Sequence, residues 1–254
     1  MAQGQLAGRI AVVTGASRGI GQAVALRMAE EGAHVYAIAR SEEGLEALNK
    51  KIPAAGGPAT MVPLDVNDGP AIDRLGGVIA ERHGKLDILV GAAGTLGALS
   101  PLSHIRPHIW DRVIETNLTA NWRLIRGFDT LLRQSDAGRA IFVTSGVARG
   151  PRAYWGAYAV SKAALEMLAG IYAEETRNTS VRVNILDPGV VRTAMRAEAM
   201  PGEDPATLPP PEAITDSFLE LALPSCTRHG EIIKAEVNIE QTHPNPPLSR
   251  REQT

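Results

Sequence analysis

The alternation of strand-like and helix-like segments constrains the fold of this chain more than any other feature. Short β-branched runs such as "RIAVVT" (9–14) and "HVYAIA" (34–39) alternate with longer helical patterns such as "GIGQAVALRMAEEG" (19–32). This alternation is typical of a parallel sheet that helices cover on both faces. The sequence therefore predicts an α/β fold, a single-domain Rossmann-like doubly wound parallel sheet of about seven strands.

The boundaries of the other elements follow from the same patterns. Further strands are predicted at "TMVPLDV" (60–66), "LDILVGAAG" (86–94), "RAIFVTS" (139–145), "VRVNILDPG" (181–189) and, more weakly, "EIIKAEV" (231–237). Helices are predicted at 71–84, at 107–133, around Tyr158 and at 211–223. No repeat or linker divides the chain, so residues 1–240 are predicted to form one domain, followed by a flexible tail at 241–254.

Charge and composition exclude several classes of function. The net charge of −2 gives no electrostatic reason to expect nucleic acid or an anionic membrane as partner. The single cysteine, Cys226, rules out an intrachain disulfide and fits a reducing compartment. No signal peptide is recognised, and no stretch reaches the roughly 20 apolar residues of a membrane helix. A cytoplasmic protein that binds small molecules is expected, and no metal site is predicted.

A glycine-rich loop, "TGASRGIG" (14–21), joins the first strand to the first helix. Glycines let a backbone turn tightly and approach a pyrophosphate, which then faces the helix N-terminus. The alternative is that they merely pack a strand–helix turn, but their place after the first strand favours nucleotide binding. The spacing G-x-x-x-G-x-G resembles that of the classical short-chain dehydrogenase/reductase family. The resemblance covers about residues 8–193 and implies NAD or NADP contacts from Gly15, Ser17, Arg18, Gly19, Ile20 and Gly21.

The end of the second strand bears on the choice of cofactor. Sites for NAD often carry an acid here that bonds the ribose 2′-hydroxyl, but this strand ends "AIARS" with Arg40. Arg40 and Arg18 would hold a 2′-phosphate through charge-assisted bonds, unless both are simply solvated. NADP(H) is therefore predicted in preference to NAD(H). The resemblance further implies that Asp65 and Val66 contact the adenine.

The segment "AYWGAYAVSK" (153–162) contains two tyrosines and a lysine. Tyr158 precedes Lys162 by four residues, which places both on one helical face, whereas Tyr154 is eight residues away from the lysine. A nearby cation lowers the pKa of a tyrosine, so Tyr158 is predicted to act as acid in carbonyl reduction and as base in alcohol oxidation. The family pattern also has a serine thirteen residues upstream, which Ser145 matches.

Further site residues are implied by the resemblance alone. Ser145 would bind the substrate oxygen, and Asn117 resembles the helix asparagine that holds a water between the lysine and bulk solvent. The segment "DPGVVRT" (187–193) resembles the part of the family that closes over the nicotinamide. The resemblance implies cofactor contacts in this segment from Pro188, Gly189, Val191 and Thr193. It implies further contacts from Ala93 and Gly94 after the fourth strand, and from Tyr158 and Lys162.

The chain departs from the family pattern in two places. The usual N-N-A-G after the fourth strand is "GAAG" (91–94), which predicts altered local hydrogen bonding rather than lost catalysis, and the seventh strand lacks the usual glycine pair. The segment 195–211, where substrate lids usually lie, is short and Pro-rich, so an open pocket is expected. Its candidate walls are Leu96, Val147, Trp155, Val190 and Met195.

The leading functional prediction is an oxidoreductase that uses NADP(H) to interconvert a carbonyl and an alcohol by hydride transfer. Two alternatives stay open, namely a catalytically idle cofactor-binding protein and an isomerase or dehydratase on the same scaffold. The helix of Tyr158 is apolar on more than one face, which predicts a homodimer or homotetramer with two-fold interfaces.

Overall fold

Seven parallel strands form one sheet in the computed structural model, which describes residues 4–55 and 57–238. The spatial order is β3-β2-β1-β4-β5-β6-β7, and every neighbouring pair is parallel. The strands are β1 (Ile10–Thr14), β2 (His34–Ala39), β3 (Ala59–Pro63), β4 (Ile88–Gly91), β5 (Arg139–Val143), β6 (Arg182–Asp187) and β7 (Ile232–Lys234). The predicted doubly wound α/β sheet is confirmed.

Helices cover both faces of the sheet. They are α1 (Gly19–Glu30), α2 (Glu42–Ala55), α3 (Gly69–His83), α4 (Pro107–Ile114), α5 (Ala120–Gln134), α6 (Gly156–Thr176), α7 (Ala194–Ala199) and α8 (Thr215–Ala222). Local signals fix some of their ends: the Ser41 hydroxyl accepts a hydrogen bond from the backbone N–H of Gly44 at the start of α2. Helix α3 begins at a comparable cap, where Asp68 accepts from Ala71 N–H, and ends at Gly84 with φ +68°.

Two hydrophobic clusters, one on each face, explain why the strands are apolar throughout. On one face Val13 of β1 packs in a cluster that includes Met28 and Phe218. On the other face its neighbour Val12 packs in a cluster that includes Phe128. Successive strand residues point to opposite faces, so a sheet with two covered faces needs apolar residues at nearly every position.

The direction of winding reverses at β1, which lies between β2 and β4. A crevice forms at the carboxyl ends of strands at such a switch point, and ligands bind there in open α/β sheets. Thr14 joins the two strand ends: its hydroxyl donates to the Val90 carbonyl over 3.2 Å and accepts from the N–H groups of Ala92 and Ala93 at 3.0 and 3.1 Å.

Three predicted elements differ from those observed. The helix predicted at 107–133 is interrupted by a π-helical turn at Glu115–Thr119, where the N–H of Ala120 bonds the Glu115 carbonyl five residues back. The helix predicted at 211–223 begins as a 3-10 turn, Pro211–Ile214, and is α-helical only from Thr215 to Ala222. Strand β7 is only three residues long and lies at the sheet edge.

Two other expectations concern the end of the chain and its lid segment. The tail predicted at 241–254 lies outside the described residues. The segment 195–211, which was expected to leave the pocket open, contains most of helix α7 and a further 3-10 turn. Within the part of the chain that the structure describes, no helix combines the length and hydropathy that crossing a membrane requires.

Candidate active site

A large cleft of about 640 Å³ opens at the carboxyl ends of the central strands, within the usual size range of ligand sites. It contains most of the residues that were predicted to bind a dinucleotide. Its lining includes Gly15, Ser17, Arg18, Gly19, Ile20, Gly21, Arg40, Asp65, Val66, Ala93, Gly94 and Thr193.

The glycine loop at the floor of the large cleft depends on glycine at three positions. Gly15 and Gly19 have φ values of +69° and +57°, in the left-handed region that side chains disfavour. At Gly21 a Cβ atom would lie 2.3 Å from the Gly15 carbonyl oxygen. The loop therefore leaves the N-terminus of α1 open to the cleft, and a helix N-terminus attracts an anionic group such as a pyrophosphate.

Cations and one carboxylate line the part of the large cleft next to β2 and β3. Arg18 and Arg40 both reach it, as predicted, and the Arg40 side chain is 72% exposed. Its guanidinium lies 3.8 Å from the Asp65 carboxylate, which also accepts from the N–H of Asn67. The predicted phosphate-binding cations and the predicted adenine contact are thus direct neighbours.

Ser145 and Tyr158 form a hydroxyl pair beside the large cleft. Ser145 follows β5 at the start of a 3-10 turn, and Tyr158 lies in the first turn of α6. Burial of Tyr158 raises its pKa to about 12, and the neighbouring Ser145 hydroxyl acts in the opposite direction with a smaller effect. Two hydroxyl groups held together at a cavity wall can bind one carbonyl oxygen, and the phenol can protonate it.

Lys162 is buried on the same helix and is 4% exposed. Its ammonium group donates to the Val143 carbonyl over 2.7 Å and lies 5.8 Å from the centre of the Tyr158 ring. Burial lowers the pKa of Lys162 to about 8. The expectation that this cation lowers the pKa of Tyr158 is therefore not met in the free protein, where burial of the phenol has the larger and opposite effect.

Asn117 occupies the π-helical turn between α4 and α5 and is fully buried. Its Oδ1 accepts from the N–H of Thr95 over 2.8 Å, and its Nδ2 donates to the Thr95 carbonyl and to the Ser161 hydroxyl, at 3.0 and 2.9 Å. Ser161 adjoins Lys162 on α6. The asparagine thus ties the loop after β4 to α6.

Gly94 lies where Asn117 and Lys162 meet. A Cβ atom at Gly94 would lie 3.4 Å from Asn117 Oδ1 and 3.7 Å from Lys162 Nζ. The fold therefore brings these predicted site residues to the edge of the large cleft, next to the turn that contains Gly94.

A small cavity of about 110 Å³ adjoins the hydroxyl pair. Five residues were predicted as walls of the substrate pocket, and three of them line this cavity, namely Leu96, Trp155 and Met195. Val147 packs against the same aromatic cluster without lining the cavity, and Val190 does not line it and is 46% exposed. Val190 follows Gly189, which has a φ of +67°. The remaining lining is Ile20, Thr144, Ser145, Tyr158, Pro188, Gly189, Val191, Thr193, Arg196 and Ala199.

The residues matched by a known family model extend over this whole arrangement. The model described as short chain dehydrogenase matches residues 9–204, from β1 through α6 to just beyond α7. The chain belongs to the short-chain dehydrogenase family. The family that the sequence motifs resemble is thereby confirmed.

Relatives of this short-chain dehydrogenase include proteins known from sequence and from structure. The oxidoreductase YciK of Escherichia coli K12 is 38% identical over 216 residues, which are 84% of this chain and 85% of YciK. The 2,3-dihydro-2,3-dihydroxybenzoate dehydrogenase of Bacillus subtilis 168 is 36% identical, over 74% of this chain and 72% of that enzyme. A short chain dehydrogenase from E. coli CFT073, solved in complex with NADPH, is 37% identical and superimposes with a TM-score of 0.86. That match covers 92% of this chain and 99% of the E. coli chain.

One feature of this dehydrogenase was missed by reasoning from its sequence. Arg192 is a third arginine at the large cleft, and the only signal for it was its place inside the "DPGVVRT" segment. Arg196 lines the small cavity but is held by Glu203 through two bonds of 2.5 and 2.6 Å. The wall beside the hydroxyl pair is thus mainly apolar, and its arginine is already neutralised by an internal carboxylate.

Proposed function

We propose that this protein is an NADP(H)-dependent oxidoreductase that interconverts a small carbonyl compound and its alcohol. The observation that carries the proposal is the position of the Ser145–Tyr158 hydroxyl pair, in a cavity that is continuous with the large cleft. Ile20, Thr193 and Met195 line both spaces. A substrate in the small cavity and a nicotinamide in the large cleft would therefore meet at these three residues.

The residues of the large cleft fit NADP(H). The open N-terminus of α1 suits the pyrophosphate, and the guanidinium groups of Arg18 and Arg40 suit a ribose 2′-phosphate. Asp65 and Val66 lie next to these arginines, where the adenine would be bound. The E. coli relative solved with NADPH supports this choice over NAD(H).

When bound, NADPH supplies the hydride for carbonyl reduction. The Ser145 hydroxyl holds the substrate oxygen next to Tyr158, and the Tyr158 hydroxyl donates the proton that the reduced oxygen takes up. Lys162, whose pKa of about 8 lies close to neutrality, can return a proton towards the phenol. Asn117 keeps Lys162 in reach by fixing its neighbour Ser161.

The small cavity suits a compact and mainly apolar carbonyl compound. Leu96, Trp155, Met195 and Ala199 supply apolar walls, while the hydroxyl pair supplies the polar contacts. Such a division, with few polar groups that fix orientation inside an apolar pocket, is usual for small-molecule sites. Substrates whose carbonyl is flanked by short alkyl or aryl groups are therefore expected to be reduced best.

We further propose a homodimer or homotetramer. Val160, Met167 and Ile171 are apolar side chains on α6 that are 46%, 66% and 50% exposed. Trp122 on the neighbouring helix α5 is 47% exposed. Large apolar side chains grouped in this way mark interaction surfaces. Sedimentation that shows only monomer at micromolar concentration would refute an assembly through this face.

The function is tested by following the oxidation of NADPH and of NADH with a panel of neutral ketones and aldehydes. We expect net NADPH consumption that depends on the carbonyl compound, with formation of an equal amount of alcohol. Tight NADPH binding without turnover of any compound would favour an idle cofactor-binding protein. Substrate conversion without net NADPH consumption would favour an isomerase or dehydratase.

A further inference from the structure

Asn121, on the first turn of α5, holds the backbone of the turn that contains Asn117. Its side chain is 2% exposed, and its Nδ2 donates to the Asn117 carbonyl over 2.8 Å. The bond joins a side chain to the main chain of the π-helical turn. It therefore acts on the position of the whole turn, and not on the side-chain contacts of Asn117 alone.

The orientation of the Asn121 amide follows from its partner. Exchange of its oxygen and nitrogen would bring two acceptor oxygens together, so the nitrogen must face the Asn117 carbonyl. The Oδ1 atom is then buried without a hydrogen-bond donor among the described residues. A buried oxygen of this kind destabilises a folded protein. The amide therefore costs stability at its oxygen, and what it provides in return is the bond of its nitrogen to the π-helical turn.

Gly91, the last residue of β4, provides the space for this amide. A Cβ atom at Gly91 would lie 2.3 Å from Asn121 Oδ1 and 2.8 Å from the ring of Phe142. Any larger residue at position 91 would displace the Asn121 side chain. In the departing segment "GAAG" (91–94), the space beside Gly91 is therefore filled by the side-chain amide of Asn121. The loop that follows Gly91 leads to Gly94, which lies beside Asn117.

We propose that Asn121 is a positioning residue for the catalytic group, and that Gly91 is small in order to admit it. The π-helical turn inserts one residue into an otherwise α-helical segment. If it relaxed to regular winding, Asn117 would rotate by about 100° relative to one of its flanking helices. Asn117 would then lose its hydrogen bonds to Thr95 and Ser161. Without the bond to Ser161, the residue next to Lys162 would no longer be held in place. This inference rests on the proposed function of the site.

The test compares Asn121→Leu with Asn184→Leu. Leucine keeps the branched shape of the side chain but removes the donor, and the control variant carries the same increase in side-chain volume. Asn184 is a matched control, because it is 1% exposed on β6 and its amide bonds the backbone of Arg228 and Glu231. We expect Asn121→Leu to lower kcat about 10- to 100-fold, the loss that a small misplacement of catalytic groups causes. NADPH affinity should stay within about threefold of the unmodified protein, and Asn184→Leu should keep kcat even where it lowers the melting temperature.

A wild-type kcat in Asn121→Leu would overturn the proposal, as would kcat losses in both variants that simply follow their melting temperatures. Hydrogen exchange gives a readout that does not need a substrate. The N–H of Thr95 is bonded to Asn117 Oδ1, so it should exchange faster in Asn121→Leu and at the normal rate in Asn184→Leu. If the unmodified protein reduces no carbonyl compound, the proposed function fails, and the exchange rate of Thr95 still decides the inference: an unchanged rate in Asn121→Leu refutes it.

Discussion

Two buried cations lie at opposite ends of strand β5, and their surroundings differ sharply. Arg139, the first residue of β5, is 3% exposed and donates to five backbone carbonyls, those of Gly138, Ser180, Leu223, Pro224 and Cys226. Lys162, 4% exposed, donates among the described residues only to the carbonyl of Val143, the last residue of β5. Burial lowers the pKa of both groups.

The difference separates a structural use of a buried charge from a functional one. A buried charge is stabilising only when its hydrogen-bonding capacity is satisfied. Arg139 meets this condition and joins β5 to the segment after α8. Lys162 does not meet it, so its ammonium retains donors for a ligand and a pKa near neutrality. We call the side of the sheet where the strands begin its amino-terminal edge, and the side where they end its carboxyl-terminal edge. We infer that the amino-terminal edge serves stability and that the carboxyl-terminal edge serves chemistry.

The largest effect is expected at the phenol of the carboxyl-terminal edge. Tyr158→Phe keeps the ring and removes the acidic hydroxyl, so turnover should fall about 10²- to 10⁴-fold while NADPH still binds. Tyr154→Phe is the matched control, because Tyr154 is 61% exposed and precedes α6. Steady-state rates with one carbonyl substrate check this prediction. Equal losses in the two variants, or full activity in Tyr158→Phe, would contradict the assigned mechanism.

At the amino-terminal edge, Arg139→Met should act on stability alone. The change removes the arginine donor from five carbonyls, of which those of Gly138 and Leu223 keep a backbone N–H partner. Unsatisfied buried groups cost about 1–3 kcal/mol each. Because other donors or water can replace part of the loss, we expect the free energy of unfolding to fall by at least about 3 kcal/mol. Urea denaturation measures it. Under conditions where the variant is folded, kcat should be unchanged, and a kcat loss without a stability loss would break the comparison.

The sequence predicted the residues of the carboxyl-terminal edge better than those of the amino-terminal edge, and the difference has a physical reason. Helix geometry sufficed to group Tyr158 with Lys162, and the family pattern added Ser145, thirteen residues upstream of Tyr158. The role of Arg139 was not foreseen, because four of its five acceptors come from segments distant in sequence. The π-helical turn around Asn117 was missed as well, since one inserted residue barely changes the apolar periodicity of a long helix.

The cofactor preference tests an exposed cation, Arg40, on the carboxyl-terminal edge, in contrast to the buried Lys162. Arg40→Asp removes a cation from the proposed 2′-phosphate site and places a second carboxylate near Asp65. Charge-assisted bonds at exposed sites are partly screened, so we expect NADPH affinity to fall about tenfold, with a smaller change for NADH. Fluorescence titration with both nucleotides measures the ratio. Equal or tighter binding of NADH by the unmodified protein would refute the preference.

The smallest effect concerns two histidines near the amino-terminal edge. His34 bonds the Thr60 hydroxyl at 2.9 Å, and His83 bonds the Tyr36 hydroxyl at 2.8 Å. Burial is the main cause that lowers the pKa of both histidines. Below pH about 6.5 the unfolded chain therefore binds more protons than the folded protein, so stability should fall as the pH decreases through this range.

Because both rings are partly exposed, the histidine effect should stay below about 1 kcal/mol between pH 7 and pH 5. The control is His83→Gln, which removes one titrating group and should flatten the dependence of the unfolding free energy on pH. Identical pH dependence in the variant and the unmodified protein would show that His83 does not contribute.

The most direct test of the contrast between the two buried cations is the free energy of unfolding of Lys162→Met, measured by urea denaturation together with its turnover. Methionine has a similar length and no charge, and replacing a poorly compensated buried charge by an apolar side chain is often neutral or stabilising. We predict unchanged or increased stability together with a loss of turnover of about 10²-fold or more. A loss of stability comparable to that of Arg139→Met, or turnover close to that of the unmodified protein, would contradict the claim that Lys162 is buried for chemistry and not for stability.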